Sequence, residues 1–170
     1  MADLRARRHA LRTLLRQFSA SLVLVVAALF GGGIAHAQTP PAVRVVNGFC
    51  TWYLASHGDW TNLSGARAYL TPSLYASLAR LVGKERAEQA QMLDFDPFDG
   101  AQSEAASYAI ATPAASGASV AVPVRIRLSG GNGSSLVRVI VVRDSSGWKI
   151  DNFAYPGNGN LKDSLRNALK

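Results

Sequence analysis

The sequence predicts an α+β domain: N-terminal helices packed on an antiparallel sheet of three to four strands, with a short helix at the C-terminus. Three observations predict it. Apolar residues recur at spacings of three and four from residue 42 to about residue 92. They then alternate with small or charged residues from residue 107 to residue 155, and leucines return to helical spacing after Asn160.

The elements follow in order. Gln38-Thr39-Pro40-Pro41 reads as a linker, over about residues 38–42, in which no helix starts before the second proline. From Ala42 to about His57, the residues Val45, Val46, Phe49, Cys50, Tyr53 and Leu54 define one helical face, and Gly58-Asp59 ends it. Residues 60–70 read as a loop with a short helical turn. Thr71-Pro72 is an N-cap followed by proline at the first helical position. Leu74, Leu78, Leu81 and Val82 continue that helix, which is expected to reach about Met92 with a break at Gly83. Residues 94–103 have the composition of an ordered loop carrying two aromatics.

Strands are expected at Ser107 to Thr112, Ser119 to Leu128, Ser135 to Arg143 and Trp148 to Tyr155. In the second, Val120, Val122, Val124, Ile126 and Leu128 alternate with Ala121, Pro123, Arg125 and Arg127, the pattern of a half-buried sheet. Pro123 lacks an N–H, which favours an edge position or a bulge. Gly130-Gly131-Asn132-Gly133 and Ser145-Ser146-Gly147 supply turns. Asn160 caps a last helix in which Leu161, Leu165 and Leu169 share a face.

Ahead of this domain, residues 1–37 read as a cleaved signal peptide. Five arginines precede residues 18–34, which carry no charge, and Ala35-His36-Ala37 supplies small residues for cleavage. The apolar core from Leu22 to Phe30 is short for a membrane span of about 20 residues, and three glycines follow it. The expectation is a periplasmic or secreted protein that does not span the membrane after cleavage. The whole chain carries +7, whereas residues 38–170 hold 13 basic and 10 acidic residues, a net +3. That modest charge argues against a nucleic-acid partner. A single cysteine excludes an intrachain disulfide framework and any multi-cysteine zinc site.

The densest chemistry is Asp94-x-Asp96-x-x-Asp99-Gly100. Three aspartates are the kind of oxygen donors calcium takes, but the spacing departs from the EF-hand loop, and residue 105 is alanine. The plainer expectation is an ordered turn in which the carboxylates accept backbone N–H groups while Phe95 and Phe98 fill the core. His57 and Asp59 are two residues apart, which does not bring them together on a helix, and His57 suits a helix C-terminus. Cys50 lies on the apolar face and reads as a buried small hydrophobe; an exposed Cys50 would instead permit a disulfide-linked homodimer. Trp52, Tyr53 and Trp148 read as core aromatics, with a tyrosine hydroxyl free to face a pocket. Arg125, Arg127, Arg138 and Arg143 form a stripe that suits a solvated face, or an acidic protein partner better than nucleic acid. Neither a serine-hydrolase elbow, a zinc-protease motif nor a phosphate loop occurs. No cofactor or metal is expected.

Four stretches together resemble a known family: Phe49-x-x-Trp52-Tyr53-Leu54, Leu70-Thr71-Pro72-x-Leu74, Asp94-x-Asp96-Pro97-Phe98-x-x-Ala101-Gln102, and Trp148-x-Ile150-x-Asn152-x-x-Tyr155. In this order they are similar to a bacterial exported domain-of-unknown-function family of the nuclear-transport-factor-two-like (cystatin-like) superfamily, over about residues 43–169. The resemblance implies a curved sheet wrapped around helices as a cone with a pocket. It supplies no catalytic residue, and fold alone does not choose a function. Two functions follow. One is a non-enzymatic binding or interaction module for a protein or small ligand, for example a toxin-immunity protein. The other is a small isomerase- or hydrolase-like enzyme using a polar residue in the cone. The ligand- or partner-binding candidates are Trp52, Tyr53, Asp94, Asp96, Asp99, Arg125, Arg127 and Arg138.

Overall fold

A computed structural model describes residues 39–130, 133–157 and 159–170. The expected signal peptide, and part of the Gly130–Gly133 turn, lie outside the described residues. The compact unit runs from Thr39 to Lys170. It is α+β, with three helices and a five-stranded, open antiparallel sheet.

Helix α1 spans Pro41–Ala55 and begins on the second proline, because a proline at the first helical position lacks only an N–H that has no intrahelical partner. Its face Ala42, Val46, Phe49, Cys50 and Tyr53 is buried. A short 3-10 turn at Ala66–Ala68 leads to α2, Pro72–Glu88. Thr71 caps α2 by accepting the Leu74 N–H. The helix passes through Gly83 without a break and ends earlier than expected, at Gln89, which takes a left-handed φ of 52°. The reason lies beyond it. The Glu85 carboxylate accepts the Met92 N–H at 2.7 Å, so the chain folds back on the last turn instead of extending it.

The strands are β1 (Ala105–Ile110), β2 (Ala114–Ser116), β3 (Ser119–Leu128), β4 (Ser134–Asp144) and β5 (Gly147–Ala154). Their order is β1-β3-β4-β5, with β2 pairing β3 in line with β1. The sequence expectation of three to four strands lacked β2, a three-residue, fully exposed strand with no apolar alternation. A second difference concerns Pro123. It lies on an interior strand, not an edge: β3 pairs β4 on one side and β1 and β2 on the other. The Pro123 carbonyl accepts the Ala111 N–H at 2.9 Å. An antiparallel residue directs its N–H and C=O to the same side, so the missing donor faces Ala111–Pro113, the interruption between β1 and β2.

Helix α3, Leu161–Ala168, is capped by Asn160, whose side chain accepts the Asp163 N–H. Its Leu161 and Leu165 are buried, and the Lys84 ammonium of α2 donates to the Ala168 carbonyl at its C-terminus. In β5 the register shifts opposite Ile140 and Val141, leaving Asp151 as the extra residue. The bulge aims the Asp151 carboxylate at Thr71 Oγ1, 3.1 Å away, and at Lys162 Nζ, 2.6 Å away, joining α2, β5 and α3.

The core sits between α1 and one face of the sheet. Val122, Val124, Ile126, Val137, Val139, Val141, Ile150 and Phe153 supply the sheet side and are all buried. Phe49 stands at the centre, with ring centroids 5.0 Å from Phe98 and 5.5 Å from both Trp52 and Phe153. Burying side chains of this size contributes roughly 1.5–3 kcal/mol each, so this layer dominates the stability of the fold. The opposite face of the sheet carries Arg125, Arg127, Leu136 and Arg138, all exposed.

Candidate functional site

Two regions gather the chemistry that the sequence singles out. The first is the aspartate loop. Asp96 and Asp99 each begin a tight turn. Asp96 Oδ1 accepts the Phe98 N–H and Asp99 Oδ1 the Ala101 N–H, both at 2.7 Å. Backbone bonds from Asp96 N to the Ala101 carbonyl and from Gly100 N to the Asp96 carbonyl close the loop. Aspartates begin turns in this way because the short side chain satisfies the backbone N–H two residues on. Phe98 then points into the core, 2% exposed, while Phe95 packs edge-on against Tyr155.

The two remaining carboxylate oxygens converge on one hydroxyl. Tyr53 of α1 donates to Asp96 Oδ2 at 2.7 Å, and Asp99 Oδ2 lies 3.5 Å from the same oxygen. Tyr155 donates to the Pro97 carbonyl at 2.6 Å, and Ser135 of β4 donates to the Asp99 carbonyl. The loop is thereby tied to α1, β4 and β5. Asp99 is fully buried, and that burial, reinforced by the neighbouring Asp96 charge, raises its pKa to about 7. Burial also raises Asp96, against the opposing pull of Tyr53 and the Phe98 N–H. Both tyrosine hydroxyls are pushed well above their ordinary value, first by burial and then by the two carboxylates.

Asp94 does not join them. Its side chain is exposed, and its carbonyl accepts Gln102 Nε2 at 2.9 Å. Beside the loop an open cleft of about 460 Å³ is walled by Tyr53, Trp60, Asp94, Asp96 and Gln102. Among the described residues no three His, Cys, Asp or Glu side chains converge as a metal-binding set. No buried side-chain nitrogen or oxygen among them lacks a partner.

His57 and Asp59 are exposed and stay apart from this cluster. His57 adopts a left-handed φ of 54°, and the Asp59 carboxylate accepts the Thr61 N–H and hydroxyl at 3.1 and 2.6 Å. Trp52 is half-buried on α1, against Phe49 and Phe98, and belongs to the core margin. Cys50 is buried, and desolvation raises its thiol to about 12.

The second region is the outer sheet face. Cross-strand register sets its layout. Arg127 lies between Ser107 of β1 and Ser134 of β4, and Arg125 between Ala109 and Leu136. Pro123 and Arg138 form the next row. Leu136, the one large apolar side chain exposed among the described residues, at 41%, therefore has Arg125 directly opposite, Arg138 two residues on along β4, and Arg127 on the diagonal. A groove of about 380 Å³ runs over Ser107, Ala109, Arg125, Arg127 and Ser134. The ion pairs among the described residues are Lys162–Asp151 and Arg166–Asp163, so none of these three arginines is paired with a carboxylate there. Sequence alternation identified Arg125, Arg127 and Arg138, but the expected fourth member, Arg143, is an odd number of residues beyond Arg138 on β4 and falls on the opposite side of the strand. The alternation missed Leu136 as the centre, because only the β3–β4 register places Leu136 beside Arg125.

Among the described residues no helix is long and apolar enough to cross a membrane. Neither a family model, a curated protein nor a solved structure matches this chain.

Proposed function

We propose that this chain is an exported, periplasmic interaction module without catalytic activity, built on the cystatin-like architecture of the exported family it resembles. In that reading the sheet curves around α1 as an open cone. One concrete form of the function is an immunity protein that blocks a toxin delivered into the same compartment.

The observation that supports this most is the contrast between the two faces of the sheet. The inner face is filled by Val46, Phe49, Cys50 and Tyr53 of α1, where a cone pocket would need space. The outer face presents Arg125, Arg127 and Arg138 around Leu136 with no carboxylate partner among the described residues. A solvent-facing leucine set among unpaired arginines is the composition of an interaction patch: an apolar centre with a charged rim.

The second reading, a small pocket enzyme of isomerase or hydrolase type, draws on Asp96 and Tyr53 walling the cleft beside Asp99. A carboxyl group titrating near neutrality beside an open cleft is suited to proton transfer. Against it, the four carboxylate oxygens of the pair already face the Phe98 and Ala101 N–H groups and the Tyr53 hydroxyl. That is the pattern of a structural tie.

The test is capture from native periplasmic extract with the protein as bait, at low and high salt, read by mass spectrometry. One dominant partner at near-stoichiometric yield, lost on changing Arg125, Arg127 and Arg138 together to Gln, supports the module. A blank at both salt concentrations removes it.

A further inference from the structure

Resting on the interaction-module reading, we infer that the outer face of the sheet docks an extended acidic peptide segment, in which every second residue faces the sheet and carboxylates and apolar side chains succeed one another along that one side. Arg125, Arg127 and Arg138 take the carboxylates, and Leu136 takes an apolar residue between them.

The register carries the argument. On β3, Arg125 and Arg127 are two residues apart, and on β4 the same step separates Leu136 from Arg138. Two residues along a strand span about 6.6–6.8 Å, which is also the repeat of same-side groups on an extended peptide. A segment lying along β3 and β4 thus presents its same-side residues, every second one in its sequence, to three successive rows: Arg127 with Ser134, Arg125 with Leu136, and Arg138 with Pro123. A helical ligand, whose same-face residues recur at three and four, does not match that repeat.

Chemistry selects the sign and the polarity. Three guanidiniums without a carboxylate partner among the described residues call for anions, and their planar forks suit carboxylates in particular. The Ser107 and Ser134 hydroxyls flank Arg127 and add donors for the second carboxylate oxygen. Beyond Leu136, the half-buried Ala121, Pro123, Ile140 and Val142 continue the same face as an apolar strip. Nucleic acid and bare phosphate have no use for that strip, whereas a peptide with apolar residues between its acids covers it.

The experiment is fluorescence anisotropy with the protein and a short fluorescein-labelled peptide that repeats Asp-Ser-Leu-Ser, so that Asp and Leu share one side of the extended chain. The same peptide with Asn for Asp is the control. Binding to the Asp peptide should exceed that to the Asn peptide and weaken as salt rises through the physiological range. Arg127→Gln or Arg138→Gln should each weaken it by about two- to fivefold, the scale of an exposed charge pair. Arg127→Lys should restore part of the loss, and Leu136→Ser should weaken binding while leaving its salt dependence unchanged.

Amide chemical-shift mapping on the unmodified protein locates the site even where a variant fails to fold; shifts should concentrate on β3 and β4. Equal binding of both peptides, shifts away from these strands, or equal competition by inorganic phosphate or anionic phosphatidylglycerol vesicles overturns the inference. If the peptide fails while extract capture still depends on the three arginines, this inference falls and the module reading stands. If capture is blank as well, both fall.

Discussion

Tyr53 and Asp96, 43 residues apart in the chain, meet at 2.7 Å, with the tyrosine hydroxyl donating to a carboxylate that is mostly withdrawn from water. The second aspartate, Asp99, lies 3.5 Å from the same hydroxyl, so one donor stands between a half-buried and a fully buried acid. This contact fastens the Asp94–Gln102 loop to α1.

Removing that donor should therefore loosen the domain. Tyr53→Phe keeps the ring between Phe49 and Phe98 but leaves Asp96 Oδ2 without its partner. The expected cost is about 1–3 kcal/mol, the scale of losing a hydrogen bond to a charged group that is partly withdrawn from water. Urea unfolding measures it. An unchanged midpoint would show that the hydroxyl is not the tie.

The same cluster sets a pH dependence with a definite sign. Asp99 titrates near 7 in the folded protein, above its ordinary carboxylate value, so between those values the folded state binds more protons than the unfolded one. Its contribution is fully present below the ordinary carboxylate range and is lost as pH rises to about 7. Asp144, lowered by hydrogen bonds from Ser146, acts in the opposite direction as pH falls. The Asp99 share is isolated by comparing the urea midpoints of the native chain and Asp99→Asn at pH 5 and pH 8. The native chain should lose more stability than the variant on going to pH 8. A larger loss in the variant would contradict the assignment.

Two glycine-to-alanine changes should have opposite effects. Gly100 has a φ of 70°, and a Cβ there would lie 2.7 Å from Tyr155 Cδ1, so strain and overlap add. Gly100→Ala should cost about 1–3 kcal/mol. Gly83 lies inside α2 with open space at its Cβ position. Gly83→Ala should stabilise by about 0.5–1 kcal/mol through helix propensity. Thermal melts of both variants decide the matter, and shifts of the same sign would refute the local backbone account.

Cys50 should be inert in the folded state. It is buried on the core face of α1 and its thiol is raised to about 12, so almost no thiolate is present at neutral pH. Ellman's reagent should react with it slowly in buffer and rapidly in denaturant. Fast reaction without denaturant would mean that α1 opens, and would reopen the route to a disulfide-linked dimer.

Much of this arrangement is legible in the residues. The valine alternation of Val120 to Leu128, the Thr71-Pro72 start and the Asn160 cap are local signals, because a strand repeat or a cap is decided within a few residues. The helix stop at Gln89 was not legible, since it depends on Glu85 accepting N–H groups from the returning chain. Nor was the interior place of β3: a proline within a strand signals an edge, and only the β1–β2 interruption opposite Pro123 makes an exception.

The α+β order, the two faces of the Ser119–Leu128 strand and the turn-forming aspartates are all properties of neighbours along the chain, and the residues alone disclose them. Tertiary structure alone decided that Tyr53 joins Asp96 and Asp99, and that Leu136 stands among Arg125, Arg127 and Arg138. Those relations depend on strand register and on where α1 crosses the sheet. Register is a property of paired strands, and shifting β4 by one residue would turn Leu136 inward and Val137 out.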